Sequence, residues 1–208
     1  MEISLDILEY VQRIILPQYA AFDKGHGLEH VNNVINNSIA IARNYDVDLD
    51  KVYVIAAYHD IGLGKDRKNH HKTSSAYLLS DIKLREWFSI DELIMMSEAI
   101  EDHRASNNYR PRSIYGMIVS EADRDLEYTT VLKRTIQYSI SNYPKDSIEQ
   151  HFARIYEHIC NKFGENGYLN LWLNTEINQR YLQELRSMIV AKEKLWFDFK
   201  VVFYVCLM

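Results

Sequence analysis

The chain has 208 residues, 47% of them hydrophobic, and a formal net charge of -5. That length can bury the core of one enzyme-sized unit, and the acidic balance argues against a broad nucleic-acid face while leaving room for a local basic pocket. With only Cys160 and Cys206, and no Cys-x-x-Cys pattern, a disulfide framework and a thiolate metal site are both excluded, so a reducing, cytoplasmic setting is expected.

Sparse punctuation, 3 Pro and 7 Gly, favours long helices over a turn-rich β architecture, and the expected fold class is all-α. Acids interrupt the apolar residues of Met1 to Asp6, which therefore read as the start of a helix and not as a secretory leader. Helical spacing runs from Ile3 to Ile15 and stops before Pro17. The next helix spans Leu28 to Tyr45, with Val31, Val34, Ile35, Ile39 and Ile41 on its apolar side and His30 in its first turn. Asp50 is placed to cap a third helix ending at Tyr58, after which Gly62 and Gly64 break the pattern.

A short helix is expected over Asn69 to Leu79, another over Asp91 to His103 and a third over Ser113 to Ala122, with Asp123 at its C-terminal end. Further helical patterning covers Leu126 to Ile140, Ser147 to Phe163 and Thr175 to Lys194. The last 14 residues, Leu195 to Met208, are aromatic and β-branched, which suits a strand or a docking tail that packs on its own domain or on a second subunit in a homodimer. Interrupted by Asp198 and Lys200, this segment is shorter than the ~20 residues of a membrane span, so no membrane partner is expected. The expected organisation is a single all-α domain over 1–208, with its site-bearing core near 20–130 and a helical extension over 131–208.

The informative chemistry begins at His59-Asp60, which closes the apolar run Val52 to Tyr58. An imidazole and a carboxylate at the edge of a core are costly unless compensated, and a shared cation would neutralise one and satisfy both. The pair therefore reads as half of a metal site. Ligands from elsewhere could come from His26, Glu29 or His30 upstream, and from His70, His71, His103, Glu121, Asp123 or Asp125 downstream. Glu121 reads as a solvated or supporting group, whereas His151 and His158, two helical turns apart, read as structural.

The order His, His-Asp, His, His, Asp, with the contexts Leu-Glu-His-Val, Ala-Ala-Tyr-His-Asp-Ile-Gly and Glu-Ala-Asp, resembles the HD-domain superfamily of metal-dependent phosphohydrolases over roughly residues 20 to 130. The resemblance implies that His30, His59, Asp60 and Asp123 hold a divalent ion, drawn from Mn, Mg, Co, Ni, Fe or Zn. It further implies that two intervening histidines, His71 (or its neighbour His70) and His103, either complete a second site bridged by Asp60 or face the substrate. One ion or two is left open.

Positive charge accompanies these segments, with Lys65 and Arg67 after the His-Asp pair, Lys72 after His71 and Arg104 after His103. A phosphate suits such surroundings, so His26, Lys65, His71, Lys72, His103 and Arg104 are the expected substrate-binding residues. Asp60 is the expected catalytic carboxylate, joined by Asp66 (or Glu29) to orient water or move a proton. The expected activity is hydrolysis of a nucleotide or another small phosphorylated metabolite, with no nucleic-acid polymer as partner. Two other readings accompany it: a di-iron oxygenase of the same superfamily, and a non-catalytic nucleotide-binding sensor. The absence of a Walker loop or dinucleotide glycine motif argues against ATP-driven or hydride-transfer chemistry.

Overall fold

The structure is a computed structural model describing residues 2–22, 25–107, 109–173 and 175–208. Its elements in chain order are α1 (Leu5–Tyr10), α2 (Leu28–Ala42), α3 (Leu49–Tyr58), α4 (His70–Ser80), α5 (Ile90–Asp102), α6 (Ile114–Ala122), α7 (Tyr128–Asn142), α8 (Ile148–Phe163), α9 (Glu176–Val190) and α10 (Lys192–Leu207). Among the described residues there is no strand, and the fold is all-α as the sparse Pro and Gly content implied. None of these helices is long and apolar enough to cross a membrane.

The chain divides into two compact units, Met1–Arg124 and Asp125–Met208. In the first, α3 is the central helix. Every residue from Val52 to Tyr58 is buried, because the segment is apolar on all sides, and α2, α4, α5 and α6 pack around it. Ile7, Val11, Ile15 and Tyr19 from the N-terminal segment join the same core as Val31 and Val34 of α2 and Met96 and Ile100 of α5. Burial of Val52 to Tyr58 confines the polar side chains of this helix to its two ends, with Asp50 and Lys51 half-buried in the first turn and His59 and Asp60 at the C-terminal end.

Capping decides where the helices begin. The α3 cap is Asp48, whose carboxylate accepts from the Asp50 amide; Asp50 itself lies in the first turn and accepts from the Ser4 amide, so the expected cap is displaced by two residues. Ser89 with Glu92 forms a reciprocal capping box on α5, and Ser147 with Gln150 forms one on α8. The expected first helix is divided: after α1 comes a wider π-type turn over Val11–Ile15, then a 3-10 turn over Leu16–Ala21 that accepts Pro17 in its opening positions, where no amide donor is needed.

The second unit is built from α7 to α10. Here Leu132 and Ile136 of α7, Ile155 and Ile159 of α8, and Leu182 and Leu185 of α9 form the interior. The C-terminal segment is a helix, not the strand or tail that its composition suggested. Leu195, Phe199 and Phe203 recur every four residues and bury one face, with Phe199 against Phe152 and Phe203 against His151 of α8. Packing at this period overrides β-propensity. The other face leaves Phe197, Val201, Tyr204 and Val205 exposed.

Candidate metal centre

Five helices of the first unit bring their ends to one place. His30 comes from the first turn of α2, His59 and Asp60 from the end of α3, His70 from the start of α4, His103 from the end of α5 and Asp123 from the end of α6. Asp60 is the hinge of the cluster. Its Oδ2 lies 3.6 Å from His30 Nε2 and 3.4 Å from His59 Nε2, while its Oδ1 lies 3.4 Å from His70 Nε2 and 3.6 Å from His103 Nε2. Asp123 Oδ1 closes the first group, 3.2 Å from His30 Nε2 and 3.7 Å from His59 Nε2.

The backbone selects which nitrogen faces inward. His59 Nδ1 meets the Ala56 carbonyl at 2.7 Å, His70 Nδ1 the Arg67 carbonyl at 3.0 Å, and His103 Nδ1 the Ile100 carbonyl at 2.5 Å. A carbonyl can only accept, so each Nδ1 must donate, which leaves Nε2 as the atom facing the cluster and, in the neutral ring, the one that carries the lone pair. Imidazole nitrogens then face each other in two pairs, His30 with His59 at 3.2 Å and His70 with His103 at 3.3 Å. Lone pairs and two carboxylates this close require positive charge between them, whether protons or a metal ion. The donor set of nitrogen and oxygen, arranged as His30-His59-Asp60 and Asp60-His70-His103, fits divalent metal ions.

The titration behaviour reports the same attraction. Burial would push the His30 imidazolium down, but the carboxylates of Asp123 and Asp60 more than offset it and raise the group to about 9. Burial would likewise raise Asp60, yet His59, His103 and His30 hold it well below the ordinary carboxylate range; Asp123 is lowered to about 2 against the same burial, with His30 its chief partner. His70 is pushed down by its own burial and then by the charge of His103.

Four expected positions, His30, His59, Asp60 and Asp123, converge here. Of the two neighbours left open, His70 faces the cluster and His71 does not. His71 is buried, with no hydrogen-bond partner at Nδ1, and burial followed by the charge of Arg104 lowers it to about 4. His103, expected either to complete a second site or to face the substrate, is almost wholly buried within the second histidine pair. Asp66 accepts through its two oxygens from the amides of Lys68 and Asn69 and from the Asn69 side chain, forming the turn that starts α4. Glu29, Lys65 and Lys72 are exposed, Arg104 is half-buried, and His26 lies with its ring 5.9 Å from that of His30 and its Nδ1 3.5 Å from Arg67. Glu121, read as a solvated or supporting group, is fully buried, where its charge acts on the buried Arg124. The spacing of Gly62 from the His-Asp pair hid one further contributor. A side chain at Gly62 would meet the Ser74 amide at 2.5 Å and the His70 carbonyl at 2.8 Å, so its absence lets α4 approach and deliver His70.

Comparison with known proteins agrees with this architecture. The HD domain family model matches residues 27–126. A tRNA (cytidine(56)-2'-O)-methyltransferase from Thermoplasma volcanium is 30% identical over 151 residues, 68% of this chain; the chain spans 42% of that protein's length. The crystal structure of a predicted HD superfamily hydrolase from an uncultured Thermotogales bacterium covers 92% of this chain and 90% of its own, with a TM-score of 0.52 and 21% identity, a likeness of fold. With the His, His-Asp, Asp order on converging helix ends and the family match over 27–126, that segment of the chain is an HD domain.

Proposed function

We propose that the protein is a metal-dependent phosphohydrolase acting on a nucleotide or another small phosphorylated metabolite, with two divalent ions bridged by Asp60. The observation that carries this reading is the division of Asp60, one oxygen toward His30 and His59 and the other toward His70 and His103. His30, His59, Asp60 and Asp123 would hold one ion, and His70, His103 and Asp60 the other. When bound by these residues, divalent ions would supply the Lewis-acid chemistry that activates water and offsets charge on a phosphoryl group.

The chain's own residues supply orientation and anion binding. Backbone carbonyls fix the ring planes of His59, His70 and His103, so the donors need little reorganisation. His71, buried with an unmatched Nδ1 beside the charge of Arg104, is suited to meet a phosphate oxygen as a neutral donor, and Arg104 to supply charge. Lys65, Arg67 and Lys72, all exposed, stand as rim cations. In the reaction, water oxygen bonds to phosphorus, the ester P–O bond breaks, and the leaving oxygen takes up a proton.

Elemental analysis of protein purified without chelators, followed by a screen of nucleotides and sugar phosphates, tests this function. Two divalent ions per chain and release of inorganic phosphate are expected; protein that takes up no metal, or that turns over no phosphorylated compound when loaded, would refute it. The same six donors also suit a di-iron oxygenase, which iron content with substrate-dependent oxygen uptake would reveal.

A further inference from the structure

The helix that carries the His-Asp pair ends on a side chain from far away in sequence. In a continued helix, the Asp60 amide would donate to the Ala56 carbonyl and the Ile61 amide to the Ala57 carbonyl. Other partners occupy these positions. The Ala56 carbonyl receives His59 Nδ1 at 2.7 Å, and the Ala57 carbonyl receives the Tyr19 hydroxyl at 2.9 Å. The Asp60 amide donates to that same hydroxyl oxygen at 3.3 Å. One hydroxyl therefore accepts from and donates to the last turn of α3, from a residue 41 positions earlier on the 3-10 turn Leu16–Ala21.

The consequence falls on the direction of Asp60. Leaving the helix, its backbone turns to φ -114° and ψ 3°, and its carboxylate points between the two histidine pairs. Tyr19 is fully buried, and Phe22 packs edge-on against its ring at 5.3 Å, so the hydroxyl has a fixed position.

We propose that Tyr19 is the positioning residue of the bridging carboxylate: its hydroxyl stands in for two helical hydrogen bonds and fixes the angle at which Asp60 offers one oxygen to each histidine pair. This inference rests on the two-ion reading above. The two positions depend on it unequally. Among the described residues, the first has Asp123 in addition to His30, His59 and Asp60, whereas the second has His70 and His103 beside Asp60. A small rotation of Asp60 therefore weakens the second ion more than the first.

The test is titration of the metal-free full chain with manganese, read by electron paramagnetic resonance, in the wild type, Tyr19→Phe and Tyr10→Phe. Phenylalanine preserves the ring volume of Tyr19 and removes only the hydroxyl. Tyr10→Phe is the control, since it deletes a hydroxyl of the same unit that donates to Asp81, away from the cluster. The expected result is two ions in the wild type and in Tyr10→Phe. In Tyr19→Phe the first ion is retained, the second is weakened by roughly 10- to 100-fold, and the exchange-coupled two-manganese signal is lost. Unchanged binding of both ions by Tyr19→Phe, equal weakening of both, or a wild type that holds a single ion overturns the inference. A wild type that takes up no manganese or other divalent metal instead refutes the proposed function itself.

Discussion

At the scale of single residues, the cluster depends on which imidazole nitrogen is free, and three histidines commit Nδ1 to a carbonyl of the preceding turn. Asp60→Ala removes the carboxylate shared by both groups, so metal uptake should fall to background while the helical circular-dichroism spectrum persists, because the apolar faces of α2 to α6 are untouched. Retained metal with normal turnover would show that the ions are held elsewhere. His70→Ala and His71→Ala should behave differently. The first should lose one ion of two; the second should keep both and weaken inorganic phosphate by about 10- to 150-fold, the roughly 1.5–3 kcal/mol of one hydrogen bond to a charged group. The opposite pattern would exchange their roles. Sequence alone left these neighbours open because adjacent helical residues point about 100° apart, and the phase of α4 is set by the turn that Asp66 builds before it. The His-Asp pair was legible for the converse reason: polar ligands ending a wholly apolar run need a partner wherever the helix points.

At the scale of elements, helix ends and not helix bodies make the site, and the close approach of α4 to the turn after α3 governs half of it. The Gly62 amide donates to Ser74 Oγ at 2.9 Å and its carbonyl accepts from Thr73 Oγ1 at 3.1 Å, joining the two segments at the position where no side chain fits. Gly62→Ala should therefore cost about 1–3 kcal/mol through forced backbone movement and lower the melting temperature. It should also weaken the ion near His70 more than the one near His30. A variant as stable as the wild type with both ions unchanged would show that the junction yields freely. The helix bodies were largely readable from apolar spacing, as in α2 and α5. The tail was not, because Phe, Val and Tyr content pointed to a strand while the four-residue recurrence of Leu195, Phe199 and Phe203 carried the opposite message. Composition weighs against local geometry there, and the packed face decides. The hydroxyl of Tyr19 left no periodic trace at all, since a long-range hydrogen bond has no spacing to read.

At the scale of the whole molecule, all six converging donors belong to the first unit, so ion binding should stabilise that unit against pH in a manner the charges dictate. In metal-free protein, His30 is raised from the ordinary 6.5 to about 9, so its ion pairs contribute stability fully below 6.5 and lose it as pH rises through about 9. Asp123, lowered from 3.8 to about 2, contributes above 3.8 and loses its share as pH falls through about 2. The metal-free unit is thus favoured between these limits. Metal reverses the upper one, because coordination needs the unprotonated imidazole: below about 9 each ion bound at His30 displaces a proton, and affinity should rise about tenfold per pH unit. Through linkage, the stabilisation by a fixed excess of metal should then grow by about 1.4 kcal/mol per pH unit between 6.5 and 9. Thermal melts of metal-free and metal-loaded protein at several pH values within this range should diverge steadily, with hydrogen-exchange protection gained in α2 to α6 and not in α8 to α10. A constant gap across this range would mean that His30 gives up no proton to the ion, and would remove it from the ligand set.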